Sequence, residues 1–88
     1  MSEYENLHYL IANIFDISIG YSEEQIIDEL RQEASNIDFL NQTKSEILKS
    51  DRDNNFSWVQ LFEIYDGASF NSECEAKAYA MKMLKVFL

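Results

Sequence analysis

Five helical patterns in this chain open on a serine three residues ahead of a carboxylate or amide side chain: Ser2 with Glu5, Ser22 with Gln25, Ser35 with Asp38, Ser57 with Gln60 and Ser72 with Glu75. Each pair is followed by apolar residues at helical spacing. In such a box the serine hydroxyl accepts from a first-turn N–H, and the later side chain reaches back to the serine's own N–H. The chain has no proline and only two glycines, which argues against a turn-rich sandwich. Start signals and patterning agree, so the sequence predicts an all-α bundle of four to five helices. Its helices start near residues 2, 22, 35, 57 and 72, in a single helical domain over residues 1–88.

The apolar stripes fill in the bundle. The first helix carries Tyr4, Leu7, Leu10, Ile11, Ile14 and Phe15, and residues 16–20 form its exit, with Gly20 available for a left-handed cap. The second carries Ile26, Ile27, Leu30 and Ala34. A third runs through Ile37, Phe39, Leu40, Ile47 and Leu48 to about Lys49, either as a separate helix or as the second continued through a kink. Residues 50–55 read as a loop. A short helix with Trp58, Leu61, Phe62 and Tyr65 on one face ends at Asp66 and Gly67. The last helix turns Ala76, Tyr79, Ala80, Met83, Leu84 and Phe87 inward, with Lys77, Lys82 and Lys85 opposite. A chain of this size hides only about 60–65% of its unfolded surface, so its core must be dense. The 47% apolar and 14% aromatic composition supplies one. Expected core residues are Trp58 as central packing residue, with Leu10, Ile14, Ile26, Leu30, Leu40, Phe62, Tyr79 and Met83.

Charge is uneven. The formal net charge is −9. Residues 1–43 hold nine acidic side chains against Arg31 alone, and residues 44–88 hold seven against six bases. Such a balance excludes nucleic acid as a direct partner, because phosphate binding needs a basic patch. It suits a basic protein instead. The second helix carries Glu23, Glu24, Asp28, Glu29 and Glu33, and from the acids of this half expected to be exposed the candidate partner-binding set is Asp16, Glu24, Asp28, Glu29, Glu33 and Asp38. A solvated face is the competing reading of the same pattern.

Residues that do chemistry are few. One histidine, His8, and one cysteine, Cys74, with scattered carboxylates give no convergent catalytic set, so no enzyme is expected. Cys74 reads as a small, partly buried hydrophobe and His8 as a surface or half-buried residue. Asp51, Asp53 and Asn55 match the first, third and fifth positions of a calcium loop. However, Phe56 replaces its glycine, Phe62 stands at the twelfth position and Glu63 comes one place late, so no metal and no cofactor are expected. No serine sits in the Asp-Ser-Leu site of an acyl carrier. With no 18-residue apolar run and no leader, the expectation is a soluble cytoplasmic protein with no membrane association.

The run from Glu5 to Phe15 (ENLHYLIANIF), then SEEQIIDE from Ser22 to Glu29, then a polar loop and a Trp-containing helix, resembles small acidic bacterial immunity proteins. Those of contact-dependent growth inhibition systems and the helical immunity protein of the tRNase colicin D are similar over most of the chain. The resemblance implies a cytoplasmic antidote that binds the toxic C-terminal domain, often an RNase, of one cognate effector. The alternative is a small acidic helical adaptor or regulator of another basic protein. The oligomeric state stays open.

Overall fold

The structure, a computed structural model, describes residues 3–88. Among them are five α-helices and no strand: α1 (Glu5–Leu10), α2 (Glu23–Ala34), α3 (Ile37–Arg52), α4 (Trp58–Ile64) and α5 (Glu73–Met83). The expected all-α bundle is what forms. The Ser2 cap lies outside the described residues, and Tyr4 at the start of α1 offers no side-chain cap. That end is satisfied from elsewhere: the Glu46 carboxylate of α3 accepts from the backbone N–H of Leu7 at 3.0 Å and of Asn6 at 3.2 Å. A carboxylate at a helix start also complements the helix dipole.

Beyond Leu10 the helix loosens into a π-type turn over Ile11–Phe15, which buries Ile11, Ile14 and Phe15. Asp16 stops it. The Asp16 carboxylate accepts from the Ser18 N–H at 2.9 Å and from its hydroxyl at 2.8 Å, shaping a 3₁₀ turn over Ile17–Ile19. Gly20 closes that turn at φ 76°, the left-handed conformation that favours glycine.

Helix α2 begins with the full reciprocal box. The Ser22 hydroxyl accepts from Gln25 N–H at 3.2 Å, and the Gln25 side chain accepts from Ser22 N–H at 2.8 Å. The next junction corrects the expected start. Ser35 ends α2, its hydroxyl donating to the Gln32 carbonyl at 2.6 Å, while Asn36 caps α3 by accepting from Asp38 and Phe39 N–H. The extended backbone of Asn36 separates two helices rather than kinking one.

Helix α3 runs to Arg52 and takes in three residues expected to be loop. Its buried face is also different from the expected one. Ile37 and Leu48 are 66% and 51% exposed, whereas Thr43, Glu46, Ile47 and Ser50 are buried. At 100° per residue, Phe39, Thr43, Glu46, Ile47 and Ser50 form one stripe, and Ile37 and Leu48 fall on the opposite side. The inward polar groups all have partners: Thr43 accepts from the Asn6 side chain at 3.1 Å, and the Ser50 hydroxyl donates to the Ile47 carbonyl.

At α4, Ser57 accepts from Gln60 N–H at 3.1 Å. Glu73 of α5 then reaches across to accept from Trp58 N–H at 2.7 Å and from the Ser57 hydroxyl at 2.6 Å. The helix ends with Asp66 at φ 52°, not a glycine. Gly67 serves close packing instead, since a Cβ there would lie 3.0 Å from the Phe62 ring. Ser72 caps α5 through Glu75 N–H, and the chain tightens into a 3₁₀ turn over Leu84–Phe87.

All the elements meet on one apolar core. Trp58 is buried as expected, but Phe62 is its hub: that ring meets Phe15, Trp58, Phe70 and Tyr79 at centroid separations of 5.3–6.3 Å. Leu10, Ile14, Ile26, Leu30 and Met83 are buried, while Leu40 and Tyr79 are only partly covered. No helix among the described residues is long and apolar enough to cross a membrane.

Candidate functional site

The six acidic residues singled out by sequence occupy three places. Asp16 is half-buried and spends one carboxylate oxygen on Ser18. On α2, Glu24 and Asp28 lie one turn apart on the exposed face, while Glu29 and Glu33 lie one turn apart on a half-buried flank. The flank borders α1, because the Tyr9 hydroxyl makes a long 3.5 Å contact with Glu33. Asp38 is exposed in the first turn of α3. The helix thus splits its acids between an outer face and a flank, which sequence spacing alone implies once the buried stripe is known.

Little of this charge is neutralised from within. Among the described residues there are four ion pairs, and two of them touch α2: Arg31 with Asp28 at 3.7 Å, and Lys82 with Glu23 at 3.1 Å. Both are exposed, so solvent screens them and each contributes about 0–1 kcal/mol. The second pair changes the expected charge map. Lys82 and Lys85 do not form a pole remote from α2; with Ile27, Arg31 and Val86 they line a hollow of about 370 Å³ against it. Lys44, Arg52 and Lys85 make no ion pair among the described residues, and the first two lie on the exposed side of α3. A wider hollow of about 480 Å³ lies among those α3 side chains. One helix is its only wall, so it is a gap between long flexible side chains and no socket.

A third place was not foreseen. Helix α1, the loop after α3 and helix α4 enclose a recess of about 170 Å³ lined by Tyr4, His8, Asp53, Asn55, Phe56 and Gln60 among others. The Tyr4 hydroxyl donates to Asp53 at 2.6 Å, and His8 Nδ1 is hydrogen-bonded to the Tyr65 hydroxyl at 2.7 Å. Donation from Tyr4, helped by the Asn55 N–H, holds the Asp53 carboxyl below its usual range. Burial, reinforced by that same carboxylate, pushes the Tyr4 phenol up to about 12. The only histidine and a partnered carboxylate thus share one recess, although 45 residues separate His8 from Asp53 in sequence. Only the fold brings α1 back to the α3–α4 loop, so no local motif announces it.

The calcium-like positions are committed elsewhere. Asp51 lies in α3 and pairs with Lys77 at 2.7 Å, which holds the Lys77 ammonium above its usual range, and Asp53 takes Tyr4. No group of three or more His, Cys, Asp or Glu among the described residues is placed to hold a metal ion. Cys74 is exposed, because its place in the first turn of α5 points away from the core, and this corrects the expectation of partial burial. Comparison with known protein families, curated proteins and solved structures finds no match for the chain.

Proposed function

We propose that this chain is a small cytoplasmic immunity protein, which binds and neutralises the toxic C-terminal domain of a cognate bacterial effector through its acidic surface. The observation that supports this reading is the state of α2. Glu24, Asp28, Glu29 and Glu33 present a carboxylate field that only Arg31, at 3.7 Å from Asp28, offsets on the same helix. Such a field raises the encounter rate with a basic domain. Opposed to a nuclease cleft lined with Lys and Arg, the carboxylates occupy the positions of substrate phosphates. That fits an RNase, and a tRNase in particular, as the toxin.

The test is protection of cells that produce the toxic domain encoded beside this chain's reading frame. Reversing Asp28, Glu29 and Glu33 to Lys together abolishes protection while helix content stays unchanged. The matched control reverses Lys44 and Arg52 to Glu, away from α2, and leaves protection intact. Lys82 is unsuitable as a control because it pairs with Glu23 of α2. Loss of protection in the control with survival in the acidic reversal would move the binding face to α3 and remove α2 from the mechanism.

A further inference from the structure

We propose that the recess between α1, the 53–57 loop and α4 is a receptor site for the guanidinium end of an arginine side chain presented by a protein partner. The site shares no residue with the six carboxylates above and stands whether or not α2 meets a toxin.

Its chemistry selects the ligand. Asp53 supplies a carboxylate that is half-buried and oriented by two donors, the Tyr4 hydroxyl at 2.6 Å and the Asn55 N–H at 2.9 Å. Each carboxylate oxygen keeps lone-pair capacity beyond those two bonds. The Asn55 and Gln60 amide oxygens add neutral acceptors at the lining. Phe56 packs against Tyr4 at a 52° tilt with ring centroids 4.6 Å apart, so aromatic side chains border the recess beside the carboxylate, the kind of surface a guanidinium favours. Leu61 and the 64%-exposed Ile64 offer an apolar border for a methylene stem. Among the described residues, no lysine or arginine lines the recess. Lys49 lies over the Tyr4 ring at 5.6 Å from its centroid and is held by Glu3 at 3.0 Å.

Competing ligands fit worse. An anion meets Asp53 directly. A wholly apolar group strips water from that carboxylate without replacing it. Drug-sized ligands need about 300–1,000 Å³, more than the roughly 170 Å³ here. An ammonium brings charge but neither the fork that matches a carboxylate nor the plane that stacks on an aromatic ring.

The experiment titrates N-acetyl-arginine-N-methylamide into the ¹⁵N-labelled protein, with the lysine analogue and methylguanidinium as parallel arms. Saturable shifts are expected at the His8 ring and at the Asn55 and Gln60 signals in the millimolar range. Affinity in Asp53→Asn, which keeps an acceptor for Tyr4, falls about tenfold or more. Gln60→Glu, at an exposed position whose side chain makes no hydrogen bond among the described residues, tightens binding and keeps the proposal testable if Asp53→Asn unfolds. Shifts spread over α2, equal affinity in Asp53→Asn, or equal affinity of the lysine analogue would overturn the site. Methylguanidinium binding as tightly as the capped arginine would overturn the side-chain assignment, since the stem would then contribute nothing.

Discussion

Glu46 does the work that a serine was expected to do. It is 2% exposed, and its carboxylate accepts from two backbone N–H groups of α1 and from the Gln42 side chain at 3.0 Å. Removing it leaves the buried Leu7 N–H and the part-buried Asn6 N–H without their acceptor, at about 1–3 kcal/mol each, while the exposed Gln42 amide turns to water. Glu46→Ala should therefore cost about 2–4 kcal/mol in urea unfolding, and Glu46→Gln, which keeps one acceptor, clearly less. Equal losses would mean that the charge, not the acceptor, holds α1. Tyr4 and Asp53 give a second residue-scale expectation, in pH. The folded Tyr4 phenol keeps its proton up to about 12 against an ordinary 10.0, so its contribution is complete below pH 10 and fades as pH rises toward 12. Asp53, held below an ordinary 3.8, contributes above that value and loses its contribution as pH falls through its lowered pKa. Tyr4→Phe should flatten both limbs of a plot of urea midpoint against pH, the alkaline limb because the buried phenol itself is gone and the acid limb because Asp53 loses its donor. An unchanged acid limb would show that the bond does not form in solution.

Between elements, the α2–α3 junction separates what sequence spacing can settle from what it cannot. The serine caps at Ser22, Ser57 and Ser72 are local devices, read correctly from three-residue spacing, although only Gln25 closes the reciprocal box and Glu75 accepts from Asn71 N–H instead. At residues 35 and 36 two competent caps are adjacent, and the choice depends on where α2 stops. Asn36→Ala should cost about 1 kcal/mol. Ser35→Ala should cost less than about 0.5 kcal/mol in the same unfolding assay, since a C-terminal hydroxyl bond is easily replaced by water. The inverse ranking would restore Ser35 as the cap. The buried face of α3 was illegible for a related reason. Its apolar residues alone do not share a stripe, and Thr43, Glu46 and Ser50 become inward only because α1 and their own turn supply partners. The acidic face of α2 was legible because exposure follows from the stripe opposite it. The recess at Asp53 was not, because it depends on long-range return of the chain.

At the scale of the molecule, net charge and fold oppose each other. The four ion pairs among the described residues are all exposed, with every participating side chain at least 43% accessible, so attraction adds little. A formal charge of −9 on 88 residues leaves self-repulsion as the larger electrostatic effect. Repulsion between exposed carboxylates is screened as the Debye length shrinks from about 30 Å at 0.01 M salt to about 8 Å at 0.15 M. The melting temperature should thus rise with sodium chloride over that range, by a few degrees, about what a relief of 0.5–1 kcal/mol gives a domain of this size. Reversing Asp28, Glu29 and Glu33 to Lys brings the formal charge from −9 to −3, two units for each substitution. Only the weak Arg31–Asp28 pair and the long Tyr9–Glu33 contact are lost in exchange. The triple variant should melt no lower than the parent at low salt, with a shallower salt dependence, while failing to protect against the toxin. Stability and binding then move in opposite directions, so loss of protection cannot be assigned to unfolding. If the variant instead melts well below the parent, its carboxylates have a structural role, and the acidic face loses its standing as a surface kept free for a partner.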